Sequence, residues 1–94
     1  MGEQPSVELL EQTHTFPGPY MFKAIGKSEN GFVARVVAAV RDELACTNDP
    51  PYKFREAVGG RHVSVTLTPT VQTGEQVLAV YARLRRIAGL VLMM

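Results

Sequence analysis

The residues able to do chemistry in this 94-residue chain are few and widely spaced. His62 and Ser64 sit two apart in Arg61-His62-Val63-Ser64-Val65-Thr66, a spacing that puts both on one face of an extended run. A Ser–His pair acting as nucleophile and base needs a carboxylate to orient the imidazole. No Asp or Glu is predicted on that face, so His62 and Ser64 read as surface groups rather than as a catalytic pair. Cys46 is the only cysteine, which excludes an intramolecular disulfide and fits a reducing compartment. It falls at the predicted end of a helix, where the dipole disfavours a thiolate nucleophile. With His14 and His62 it makes up the whole set of soft metal ligands, too few for a tetrahedral zinc site. No catalytic residue, metal or cofactor is expected, and the chain reads as a non-enzyme.

Two other constellations point to binding. The first is the segment Gly26–Phe32, a predicted strand-to-helix turn whose free backbone N–H groups and helix dipole favour an anion. Lys23 and Lys27 would add charge there, Asn30 would cap with its side chain, and Gly31 would let a ligand approach the backbone. The same Gly and Asn also serve an ordinary turn for geometry alone. The G-x-G-x-x-G and G-K-[ST] patterns are absent, so nucleotide binding is not expected. The second is a polar sheet face carrying Lys23, Lys53, Arg55, His62, Ser64, Thr66 and Thr68, with Met21 and Ile25 among them. Such a face suits a second copy of the chain or another protein, or is simply solvated. Phe22 and Phe54 are predicted on the opposite, core side, leaving no aromatic for base stacking, so nucleic acid is not expected as a partner. Arg83, Arg85 and Arg86 suit the end of a helix, with an acidic or phosphate-bearing partner as the alternative.

The whole-chain balance agrees with a small globular binder. Ten basic and nine acidic side chains leave a formal charge of +1, which argues against general nucleic-acid or anionic-membrane binding. Apolar residues at 46 % and spaced charges at 20 % argue against disorder. The three acids Glu3, Glu8 and Glu11 all fall in residues 1–15, which read as a flexible acidic tail with at most one helical turn. Residues 16–94 hold ten basic and six acidic groups, a net +4, and read as a single domain. The longest apolar runs, Val36–Val40 and Leu90–Met94, are five residues each, far too short to span a membrane. Gly2-Glu3-Gln4-Pro5 has neither the basic nor the apolar region of a secretory signal, so a cytoplasmic protein is expected.

The elements that must hold these residues can be read in order. Phe16-Pro17-Gly18-Pro19 turns the chain into a strand over Tyr20–Ile25, with Phe22 and Ala24 on one side and Lys23 and Ile25 on the other. Val33, Val36, Val37, Val40 and Leu44 recur at helical spacing, with Ser28 or Asn30 as cap and Pro50-Pro51 as stop. Tyr52–Val58 and Arg61–Thr68 flank Gly59-Gly60, a hairpin signal. That register sets Phe54 against Val65 and gathers Phe54, Val63, Val65 and Leu67 on one side. Pro69 ends the second strand. Thr73-Gly74-Glu75-Gln76 has the form of a capping box, and Val77, Val80, Tyr81, Leu84 and Ile87 follow at helical spacing. Gly89 ends that helix, and Leu90–Met94 forms a last strand. The order βαββαβ specifies an α+β, ferredoxin-like fold, with a four-stranded antiparallel sheet and two helices on one face.

Particular residues carry a resemblance as well. Phe16-Pro17, Lys23-Ala24-Ile25-Gly26, Gly31-Phe32 and Gly59-Gly60-Arg61-His62-Val63-Ser64-Val65-Thr66 resemble the YbeD-like family of small bacterial proteins, a domain of unknown function, from about Phe16 to Met94. The resemblance implies a ferredoxin-like fold, similar in shape to the ACT-type regulatory domains that sense amino acids, and carries over no catalytic residue. ACT-type domains use a Gly at a similar strand-to-helix turn to hold an amino acid between subunits. The resemblance therefore implies a regulatory or adaptor domain that self-associates or binds a partner. A small carboxylate would sit at Lys23, Lys27, Asn30 and Gly31. The alternative is a purely structural interaction module using Arg55, His62, Ser64 and Thr66, without a ligand. Pro69 and the proline-rich link at Asn48–Pro51 depart from the family pattern and put the length of the middle strands in question.

Overall fold

A computed structural model describes residues 5–94. Alternation of apolar and polar residues drives Phe22–Lys27 into strand β2, burying Phe22, Ala24 and Gly26 and turning Lys23, Ile25 and Lys27 away. The strand starts two residues later than its sequence pattern suggests. The Tyr20 N–H instead donates to the Pro69 carbonyl at 3.0 Å, beside a two-residue pairing of β1 (Gly18–Pro19) with β5 (Thr70–Val71). Pro69 therefore ends β4 (His62–Leu67) as expected and steers the chain into this second, smaller sheet. The remaining strands are β3 (Tyr52–Glu56) and β6 (Leu90–Met93). The main sheet runs β3-β4-β2-β6, with every described pairing antiparallel.

Helix α2 (Phe32–Glu43) follows its valine spacing: Val36, Val37 and Val40 are buried, with Val33 and Leu44 half-buried at its ends. Helix α3 (Gly74–Leu84) opens as its capping motif predicts. Thr73 Oγ1 accepts from the Gln76 N–H at 3.2 Å, while Gln76 Oε1 accepts from the Gln72 N–H at 2.8 Å. The core lies between these two helices and the Phe22, Ala24, Val63, Val65 and Leu67 side of the main sheet. The two helices are tied on the outside by Arg83 Nε donating to Glu43 Oε1 at 2.9 Å.

The N-terminal stretch departs from the expected loose tail; its residues 1–4 lie outside the described residues. Val7–Thr13 form a third helix, α1, capped by Ser6 Oγ accepting from the Leu9 N–H. Leu10 is 2 % exposed within the core. Glu11 Oε2 accepts from the Gly74 N–H at 2.8 Å, placing a carboxylate at the positive end of α3. A seven-residue helix has too few apolar positions to announce itself in sequence; it is fixed by docking on α3.

The hairpin register is the expected one, with Phe54 opposite Val65 and Tyr52 opposite Leu67. The loop differs in size. Regular pairing stops at Glu56 and Val63, the Ala57 N–H donates to the His62 carbonyl, and the turn closes by the Gly60 N–H donating to the Ala57 carbonyl. Gly59 and Gly60 both take positive φ, of 94° and 72°.

Candidate interaction surface

The side of the main sheet turned away from α2 and α3 is built from cross-strand rows. One row reads Lys23, Thr66 and Lys53; the next reads Leu92, Ile25, Ser64 and Arg55; a third pairs Lys27 with His62. Met94 extends the first row, exchanging both main-chain hydrogen bonds with Lys23 at 2.7 and 2.9 Å. Carboxylates are absent from these positions, while Lys23, Lys27, Lys53, Arg55 and His62 all lie on them. The β3 and β4 half is basic and hydroxylic; the half along β6 is apolar, with Leu92 and Met94 exposed. Arg55, His62, Ser64 and Thr66 are thus brought onto one surface, as their spacing predicts. Among the described residues, no carboxylate stands beside His62 in the strand rows of that surface to orient its ring for base work.

Strand β3 is unlike its neighbours because all five of its residues are exposed. Phe54 points to the helix side as predicted, yet it is 57 % exposed and does not belong to the core. The reason is geometric. β3 is the edge strand beyond β4, and among the described residues its only substantial packing partner is β4. Tyr52, next to it on the same side, is also open.

The strand-to-helix turn is arranged differently from its sequence reading. The residue capping α2 is Gly31, in the left-handed region at φ 66°, and no side chain caps the helix. Asn30, also left-handed at φ 55°, contributes its carbonyl instead, which accepts from Arg35 Nε at 2.9 Å. Lys27 ends β2 close to the turn, but Lys23 lies four residues back along the open face, about 13 Å away at the rise of a strand. The four residues therefore do not form one cluster. Ser28, Glu29, Asn30, Gly31, Phe32, Val33 and Val63 line an open depression of about 340 Å³.

Arg35 is the residue that sequence reasoning misses, because on a helical wheel it is merely off the apolar face. Its guanidinium bonds three main-chain carbonyls: Asn30, Ala88 at 2.8 Å and Glu29 at 3.4 Å. It also stands 5.8 Å from the centre of the Phe32 ring. Arg35 thereby pins the turn before α2 to the turn before β6. Gly26 allows this packing, since a Cβ there would clash with the edge of the Phe32 ring and lie 2.8 Å from the Gly89 carbonyl.

Other polar groups are structural. The Tyr81 and Tyr20 hydroxyls lie 3.3 Å apart, and burial with this hydrogen bond raises the Tyr81 pKa well above its ordinary value. Arg41 is held by Asp42 and Asp49, and Arg83 by Glu43. Among the described residues, no three His, Cys, Asp or Glu gather as a metal site, and no helix is long and apolar enough to cross a membrane.

Comparison with known proteins places this arrangement. No curated protein matches the chain. The solution structure of protein HP0495 from H. pylori superimposes with a TM-score of 0.62, covering 100 % of this chain and 98 % of that one at 10 % identity, a likeness of fold alone. A family model described as "Protein of unknown function (DUF493)" matches residues 11–94, so the chain belongs to the DUF493 family.

Proposed function

We propose that this protein is a non-catalytic adaptor domain that binds another protein through the open face of its main sheet. The observation that carries the reading is that face itself: an uncovered surface with five basic or imidazole side chains, no carboxylate and an apolar margin along β6. The strand order β3-β4-β2-β6, with α2 and α3 as crossovers, supports a ferredoxin-like topology, similar in shape to ACT-type regulatory domains. That likeness concerns shape and assigns no activity.

A photo-crosslinking side chain at Thr66, on the open face, tests the reading against one at exposed Ala82 on α3. Expressed in cells, the Thr66 variant gives a discrete heavier adduct and the Ala82 variant none. Equal labelling from both, or adducts from Ala82 only, overturns the reading.

Small-carboxylate sensing is the second reading, favoured by the depression at Ser28–Val33 and the α2 N-terminus that no side chain caps. Its site is narrower than the sequence implies: Gly31, the Asn30 backbone and Lys27, without Lys23. Amide shifts confined to residues 26–33 on titration with pooled amino acids support it, and unchanged spectra remove it.

A further inference from the structure

Along β3 the main-chain groups sort by parity. The Thr68 N–H donates to the Pro51 carbonyl and the Ala57 N–H to the His62 carbonyl, so the odd-numbered residues face β4. Tyr52, Phe54 and Glu56 therefore turn their N–H and C=O groups outward, where no strand of the described residues lies. Their side chains are exposed too. An incoming strand would meet three unpaired donor–acceptor sets on its edge and, on its helix side, two aromatic side chains with Glu56 beyond them. On its open-face side it would meet Lys53 and Arg55, with Lys23 behind them.

Charge decides which strand this edge accepts. A second copy pairing antiparallel about Phe54 sets Lys53 opposite Arg55 of the other copy, and like charges directly opposite destabilise a pair. Moving that pairing by two residues sets Lys53 opposite Lys53, or Arg55 opposite Arg55. Self-pairing is blunted in these three registers, as is usual for charged edge strands. A strand with carboxylates at alternate positions reverses the sign of each of these contacts. We infer that β3 takes, as a fifth strand, an extended acidic segment of a partner protein, with carboxylates facing Lys53 and Arg55 and apolar side chains facing Tyr52 and Phe54. The inference rests on the open-face reading and adds the edge, the register and the partner's pattern.

The test uses the whole ¹⁵N-labelled chain and a capped nine-residue peptide alternating Val and Glu, with a Val–Lys peptide and a single-stranded oligoribonucleotide as comparisons. The acidic peptide is expected to shift and protect the amides of Tyr52, Phe54 and Glu56. Lys53→Glu with Arg55→Glu should weaken it at least tenfold, and rising salt should weaken it further. Phe54→Pro removes an outward N–H without touching the β4 ladder, so it should weaken binding more than Phe54→Ala, with both spectra remaining dispersed. Shifts centred on Ile25 and Leu92 without protection of β3 overturn the inference while leaving the open-face reading intact. No response to the acidic peptide, an equal response to the Val–Lys peptide, tighter binding of the oligoribonucleotide, or concentration-dependent protection of β3 in the protein alone each overturns it.

Discussion

Val65 and Phe54 face each other across β4 and β3, on the same side of the same sheet, yet one is fully buried and the other is 57 % exposed. Leu67 and Tyr52 repeat the contrast one row along, at 0 % and 46 %. Phe is the more apolar member of its pair, so residue type does not set the outcome. Coverage does: α2 and α3 lie over β2 and β4 and stop short of β3. Two adjacent strands of one hairpin thus serve different ends, one as core and one as rim. The rim strand is also the one that keeps aromatic side chains, basic side chains and unpaired main-chain groups together.

Mutations on the two sides of this boundary should differ in kind. Leu67→Ala removes a fully buried side chain and leaves a cavity, so denaturant unfolding should show a loss of about 3 kcal/mol. A loss below about 1 kcal/mol would mean that β4 is no better covered than β3. Gly26→Ala forces a methyl against the edge of the Phe32 ring, and overpacking of that kind should cost about 2 kcal/mol in the same measurement. Arg35→Met keeps the stem but drops three carbonyl partners and should cost about 1 kcal/mol, with amide shifts at both Asn30 and Ala88. Shifts at only one of the two turns would show that Arg35 does not link them. Phe54→Ala, a change that costs about 3–5 kcal/mol in a core, should here cost less than about 0.5 kcal/mol. A core-sized loss would place Phe54 under cover and erase the contrast.

What can be read in the sequence follows the same boundary. The alternation in Tyr52–Glu56 and His62–Leu67 fixes their register and faces, because both strands carry matching polarity. The valine spacing of Phe32–Leu44 locates α2 to within a residue, and the Thr73–Gln76 cap locates the start of α3; α3 ends at Leu84, about four residues before the end that Gly89 suggests, because Arg85–Gly89 leave the helix as a turn into β6. Alternation says which way Phe54 points; it cannot say whether a helix lies above it, since that depends on where α2 and α3 come to rest. Helix α1 escapes for a related reason, because its stability comes from Leu10 and Glu11 meeting α3 rather than from its own pattern. At the candidate site, the open-face residues are legible from period-two spacing alone. The proposed cluster of Lys23 with Asn30 and Gly31 is not real, because strand geometry separates what sequence proximity joins. Arg35 is hidden because its partners are carbonyls, which carry no sequence signature.

Amide hydrogen exchange along β3 in the free protein tests the central claim most directly. If the edge is open, protection alternates: the Lys53 and Arg55 amides, bonded to β4, exchange slowly, while those of Tyr52, Phe54 and Glu56 exchange at nearly the rate of an unstructured chain. Uniform protection across all five amides would mean that the edge is already occupied, and uniform fast exchange would mean that β3 is not a strand at all. Either result would contradict a fold that leaves this edge free for a partner.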